Sequence, residues 1–166
     1  GRHSKIIELF NYIKEDSYFY ILMEYFESVE LSTVIGKQTG PMVHERALPI
    51  FIQILQGIGH AHKRGIIHRD IKPSNILINN NDKIKIADFG IAIEQTGSAR
   101  LTQKHMLVGT PMYMSPEHIL EMDIEKTSDI YLLGLTFYEM LAGKHPFDVK
   151  KGKIKKAQVS ETPKDP

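Results

Sequence analysis

The sequence contains no cysteine. Without a thiol there can be no disulfide framework, no thiolate nucleophile and no Cys-zinc site. The same absence fits a reducing compartment, and the chain is expected in the cytoplasm or nucleus. An excess charge of one sign is also missing. The 21 Lys+Arg and 20 Asp+Glu leave a net charge of +1, so a general attraction to nucleic acid or to an anionic membrane is not indicated. Long hydrophobic runs are absent too. Residues 130–143 form the most apolar stretch, but Glu139 interrupts it and it is too short to span a bilayer. No signal peptide is visible. The chain begins with Gly1 rather than Met and stops at Asp165-Pro166, and both ends are read as cuts.

What is present is enough for one domain with a core: 166 residues, 42% hydrophobic and 25% charged. Residues 6–12 and 18–25 are apolar, β-branched and aromatic runs around polar turn residues, and predict a pair of adjacent strands. Residues 24–28 lose that pattern and read as a connector. Residues 31–37 predict a short helix closed by Gly36 or Gly40-Pro41. Over 45–62, Leu48, Phe51, Ile54, Leu55, Ile58 and Ala61 fall on one helical stripe. Pro49 near its start would bend any helix that begins before Arg46. Residues 76–78 and 83–87 flank Asn79-Asn80-Asn81-Asp82, a strong hairpin signal. Residues 91–108 have no period and form a loop of functional length. Residues 130–142 are apolar nearly all round and predict a buried helix ended by Gly143. Residues 150–166 read as a loose, Lys-rich tail.

The chemistry is concentrated in His68-Arg69-Asp70-Ile71-Lys72-Pro73-Ser74-Asn75 and in Asp88-Phe89-Gly90. The predicted hairpin returns its outer ends to each other, so Asn75 and Asp88 are brought close by local structure alone. Transfer of a phosphoryl group needs cations against the phosphate oxygens, a carboxylate to orient the attacking hydroxyl, and parts held in line. Asp70 can accept the hydroxyl proton. Lys72 is a compact charge for the phosphate, and Asn75 and Asp88 are hard oxygen ligands that suit Mg²⁺. Each Asp or Asn taken singly reads better as an ordinary turn residue flanking a hairpin; their joint spacing does not. His60 and His62, two apart on a helix, point in different directions and do not read as a metal pair.

These motifs resemble those of the eukaryotic protein-kinase catalytic domain of the Ser/Thr type. Gly109-Thr110-Pro111-Met112-Tyr113-Met114-Ser115-Pro116-Glu117 resembles the end of its activation segment, and Asp129-Ile130-Tyr131-Leu132-Leu133-Gly134 the start of its large buried helix. The resemblance implies an α+β, protein-kinase-like fold. Residues 1–149 would be a partial kinase domain, with 1–23 as N-lobe strands, 24–30 as hinge and 31–149 as a mainly helical partial C-lobe. It implies ATP and Mg²⁺ as cofactors. Catalytic roles fall to Asp70, Lys72, Asn75 and Thr110, and metal binding to Asn75 and Asp88. Met23 would be the gatekeeper. The backbone of Glu24 and Phe26 would bind adenine, Glu30 the ribose, and Leu77 would lie against the ring. Thr110 would bridge Asp70 and Lys72. Leu9, His68 and Phe89 would stack, anchored by Asp129. Arg69 would take a phosphate on the activation loop, although Met106 stands where many such kinases carry the acceptor.

The implied partners are a protein substrate with a Ser or Thr acceptor, ATP, and a regulatory kinase or phosphatase acting on residues 91–108; nucleic acid and membrane are not implied. The sequence also departs from the family pattern. It shows no Gly-rich phosphate loop, no strand lysine of the Val-Ala-Ile-Lys type and no partnering helical glutamate. The activity expected of the parent is ATP-dependent phosphoryl transfer to Ser/Thr hydroxyls, and the chain alone is expected to be weak or inactive. The alternative is a catalytically incompetent kinase-like binding module or substrate decoy.

Overall fold

The computed structural model describes residues 2–16, 18–89, 111–147 and 154–163. Residues 91–108 and Thr110 therefore lie outside the described residues. The architecture is α+β. Strands β1 (Leu9–Glu15) and β2 (Tyr18–Met23) form an antiparallel ribbon. A second sheet has the order β3 (Val29–Glu30), β4 (Ile76–Ile78), β5 (Ile84–Ile86), antiparallel throughout. The helices are α1 (Leu31–Thr33), running on into a π-helical segment Val34–Thr39, then α2 (His44–His62), α3 (Pro116–Ile119), α4 (Lys126–Ala142) and α5 (Ile154–Ser160).

The ribbon begins three residues later than its apolar pattern predicts. Ile6 and Ile7 leave it and join the other sheet instead: Ile6 bridges Ile86, and the Ile7 amide donates to the Ile86 carbonyl at 2.9 Å. Every described residue of β1 is exposed, which is why Lys14 and Glu15 fit in the strand as well as Ile13 does.

The β4–β5 hairpin forms as its sequence predicts. Asn79 Oδ1 accepts the amides of Asn81 and Lys83, both at 3.0 Å, and Asp82 takes the left-handed conformation, φ 53°. That conformation costs roughly 1–2 kcal/mol for a residue with a Cβ. Ile76, Ile78, Ile84 and Ile86 are each 0–2% exposed, and burying one such side chain stabilises by roughly 1.5–3 kcal/mol. The four isoleucines outweigh the turn. Arg46 forks onto the Asp82 carboxylate at 2.8 and 3.0 Å. Both partners are more than one-third exposed, so the pair fixes the turn against α2 more than it stabilises the fold.

Helix α2 begins at His44, before Arg46, with Pro49 inside it. Its buried face is Ala47, Ile50, Ile54, Gly57, Ile58 and Ala61, while Leu48 and Leu55 of the predicted stripe stand 49% and 42% exposed. The helix is rotated toward its small and β-branched side because the hairpin comes close there. A Cβ on Gly57 would lie 2.7 Å from Ile86 Cδ1 and 3.3 Å from the Lys5 carbonyl. Phe51 of the predicted stripe stacks on Phe137 of α4 at 4.3 Å. Helix α4 starts at Lys126 and buries Leu132, Leu133, Leu135, Thr136 and Met140, but Ile130 is 58% exposed. It is a helix with one open face, not one buried all round.

Residues 150–166 are not a loose tail throughout. Helix α5 buries Ile154, Ala157 and Gln158, and Gln158 Nε2 donates to the Met112 carbonyl at 2.6 Å. Three buried positions at helical spacing supply the apolar face that the lysines obscure in the sequence.

Gly143 ends α4 in the left-handed conformation, φ 68°, its amide bonded to the Glu139 carbonyl at 2.9 Å. A Cβ there would also sit 2.8 Å from the Pro41 ring. Strain and collision act in the same direction, so Gly143→Ala should lower unfolding free energy by about 1–3 kcal/mol, read as an earlier midpoint in urea denaturation.

Candidate active site

Residues 66–72 cross from α2 to the hairpin without regular structure, so something other than a backbone ladder must hold them. That support is Asp129 on α4, which is 0% exposed. Its Oδ2 accepts the His68 amide at 2.9 Å and its Oδ1 the Arg69 amide at 2.8 Å. His62, at the end of α2, completes the set with Nε2 at 2.7 Å from Oδ2. A buried carboxylate is tolerable only when hydrogen-bonded in this way. His62 therefore has a structural use that its spacing from His60 did not reveal.

His68 itself is 2% exposed. Burial pushes its pKa down, against the opposing pull of the Ala87 carbonyl and of Asp129. The ring is neutral at pH 7, and its partners name the tautomer: Nε2–H donates to the Ala87 carbonyl at 3.0 Å, and Nδ1 accepts the Asp70 amide at 3.3 Å. Phe89 packs on its edge with ring centroids 4.6 Å apart. Leu9, expected in the same stack, is 57% exposed at the start of β1.

Beyond His68 the chain presents its functional groups. Lys72 Nζ donates to Asp70 Oδ2 at 2.7 Å. Asn75 Nδ2 donates to the same oxygen at 2.9 Å and to the Asp70 carbonyl at 2.8 Å. Both Asn75 partners are acceptors, so the amide orientation is forced. Its Oδ1 is left facing away from Asp70. The Ala87 amide donates to the Asn75 carbonyl at 2.9 Å, which brings Asp88 next to Asn75 as the hairpin predicts. Asp88 is exposed. Asp88 and Arg69 both have left-handed backbones, φ 57° and 70°. Such strain runs to roughly 1–3 kcal/mol per residue and persists only where surrounding contacts over-determine it. Asn75 and Asp88 offer an amide oxygen and an exposed carboxylate, hard donors of the kind that suit Mg²⁺. Thr110 lies outside the described residues, and with it the expected bridge to Asp70 and Lys72.

The residues expected to hold a nucleoside fall on a second line. Glu30 and Leu77 are register partners across β3 and β4, and Leu77 and Lys85 across β4 and β5. The three share one face of the sheet, opposite the buried isoleucines. Met23 ends β2 at 44% exposure. In the connector, the Phe26 carbonyl accepts Ser28 Oγ at 2.8 Å, and Glu30 accepts Ser32 Oγ at 2.7 Å. The Glu24 amide donates to the Glu8 carbonyl at 2.8 Å. Its carboxylate binds Lys85 at 2.7 Å, a contact across 61 positions that local pattern does not encode. Two grooves of about 490 and 520 Å³ flank this connector. Neither is lined by Asp70, Asn75 or Asp88.

The Tyr113 hydroxyl donates to Glu139 of α4. Burial raises both pKa values, and the Glu139 charge raises that of Tyr113 further. The pair ties the segment after Thr110 to α4.

The His68 shift gives a pH dependence of known sign. The folded pKa lies below the unfolded value of 6.5, so the unfolded chain binds more protons between the two, and stability falls as pH drops from 6.5 into that window. Urea midpoints should fall between pH 7.5 and 5.5. His68→Phe, less stable at pH 7.5, should show a smaller fall over the same range.

Comparison with known proteins places these features in one family. The model described as "Protein kinase domain" matches residues 1–164. The Serine/threonine-protein kinase PrkC of Bacillus subtilis (strain 168) is 42% identical over 146 residues, 88% of this chain and 22% of that protein. Serine/threonine-protein kinase PknB of Mycolicibacterium smegmatis is 41% identical over 130 residues, 77% of this chain and 20% of that protein. A probable serine/threonine-protein kinase PknB of Lactococcus lactis is 36% identical over 146 residues. The chain thus spans about a fifth of the length of these relatives. It belongs to the protein kinase domain family.

Proposed function

We propose that this chain carries the lower half of the active site of an ATP-dependent Ser/Thr protein kinase, and that the protein transfers the γ-phosphoryl group of ATP to Ser or Thr hydroxyls of protein substrates. The observation that carries the reading is the single oxygen Asp70 Oδ2, held at once by Lys72 and Asn75. Its partner oxygen, Oδ1, is left for a substrate hydroxyl. Asp70 orients that hydroxyl and takes its proton as the new bond to phosphorus forms. Lys72, resting on Asp70, is placed to move onto the charged phosphoryl oxygens. Asn75 Oδ1 and the Asp88 carboxylate would hold Mg²⁺, which supplies charge neutralisation at the phosphates when bound.

The adenine falls to the connector: the Glu24 carbonyl and the Phe26 amide, with Met23 behind, Leu77 beneath and Glu30 toward the ribose. Thr110 would complete the contact between Asp70 and Lys72. Residues 91–108 are a target for a regulatory kinase or phosphatase, with Arg69 as the receiver of a phosphate. The 166-residue chain alone turns over weakly or not at all. The whole protein acts on Ser/Thr protein substrates, inside the cell.

The test separates binding from chemistry. By titration calorimetry the chain should bind ADP only with Mg²⁺, and Asp88→Asn should weaken that binding by at least tenfold, about 1.4 kcal/mol. Turnover is measured on the chain joined in frame to the segment that precedes the matched region in the Bacillus subtilis relative. There Asp70→Asn should lower transfer to a Ser/Thr protein by about 10²-fold or more and leave Mg-ADP affinity within a factor of three. Undiminished transfer would reject Asp70 as the base. Nucleotide binding indifferent to Mg²⁺ and to Asp88 would reject the site.

A further inference from the structure

Lys85 is the middle residue of a short strand whose neighbours, Ile84 and Ile86, are buried. Its side chain is only 16% exposed. A cation held there needs a partner to offset its lost hydration, and it has two, both in the connector. Nζ lies 2.7 Å from Glu24 Oε1 and 2.9 Å from Oε2, and 5.9 Å from the centroid of the Phe26 ring. Glu24 is itself tied on the other side. Its Oε2 accepts the Glu8 amide at 3.1 Å, and its own amide donates to the Glu8 carbonyl. The Lys85 contact pulls the Glu24 carboxyl below its ordinary pKa, so Glu24 presents a charged carboxylate to Lys85.

We propose that Lys85 is a positioning residue for the nucleotide: it clamps, from the sheet, the two connector residues whose backbone meets adenine. The proposal rests on the kinase reading above, since it assigns Lys85 a role toward that site. Residues 24–28 form no helix or strand and would otherwise be free to reorient. Gripping one residue by its carboxylate and the other by its ring leaves the Glu24 carbonyl and Phe26 amide set before the ligand arrives, so their ordering is not charged against binding. The same strand leads in three residues to Asp88. Lys85 therefore sets the spacing between the adenine contacts and the metal ligand. That spacing must match the length of one nucleotide.

The experiment uses the 166-residue chain with Mg-ADP as the probe. Lys85→Met should speed amide hydrogen exchange across residues 24–28 and weaken Mg-ADP binding by about five- to tenfold. Exchange in α4 should be unchanged. Lys85→Arg should restore most of both effects. Glu24→Gln, which removes the charge but keeps an acceptor for the Glu8 amide, is the second variant should Lys85→Met not fold. Unchanged exchange and unchanged affinity in a folded variant overturn the proposal. Loss of folding in both variants also overturns it and leaves Lys85 a structural role. If the unaltered chain binds no Mg-ADP, the kinase reading fails, and the clamp is judged on exchange alone.

Discussion

A carboxylate with no contact to solvent holds the site in place. Asp129 accepts the amides of His68 and Arg69 and faces His62. Those three groups come from the end of α2 and from the irregular segment that follows it, while Asp129 belongs to α4. Losing any of them would leave a buried charge short of a partner, which is far more destabilising than losing a surface pair. The segment is thereby fixed to the helical core at its root. Asp70, one residue further on, follows that anchor and is held in addition by Lys72 and Asn75.

The anchor also explains how strained backbone persists at the site. Arg69 and Asp88 both sit in the left-handed region. Arg69 is held there by the hydrogen bond that its backbone amide donates to Asp129. Asp88 lies between the Ala87–Asn75 backbone bond and Phe89, whose ring packs on His68. Each strained residue has fixed contacts on both sides. The result is that two side chains of different chemistry, Lys72 and Asn75, converge on one oxygen of Asp70.

Parts of this were legible in the sequence. The hairpin was legible because Asn79 to Asp82 are turn formers by their own side chains, and their bonds in the structure are local. The spacing of Asn75 and Asp88 followed from it. The buried face of α2 was not, because Leu48, Phe51 and Leu55 fit a helical stripe as well as Ala47, Ile50 and Gly57 do. Only the close approach of Ile86 and Lys5 to Gly57 decides between the two faces. The start of β1 was missed for a similar reason: Ile6 and Ile7 read as strand, but the sheet they join is 80 residues away in the chain. In residues 150–166 the charge of the lysines masked three buried positions.

By itself the sequence determined which functional groups the candidate site contains and their order along the chain, because motif residues carry their own groups at short-range spacing. The tertiary structure decided which groups share a buried partner. Asp129 with His62, Glu24 with Lys85 and Tyr113 with Glu139 are pairs separated by 67, 61 and 26 positions. Nothing local favours them. They form because a charge or hydroxyl withdrawn from water must find a complement wherever packing has placed one.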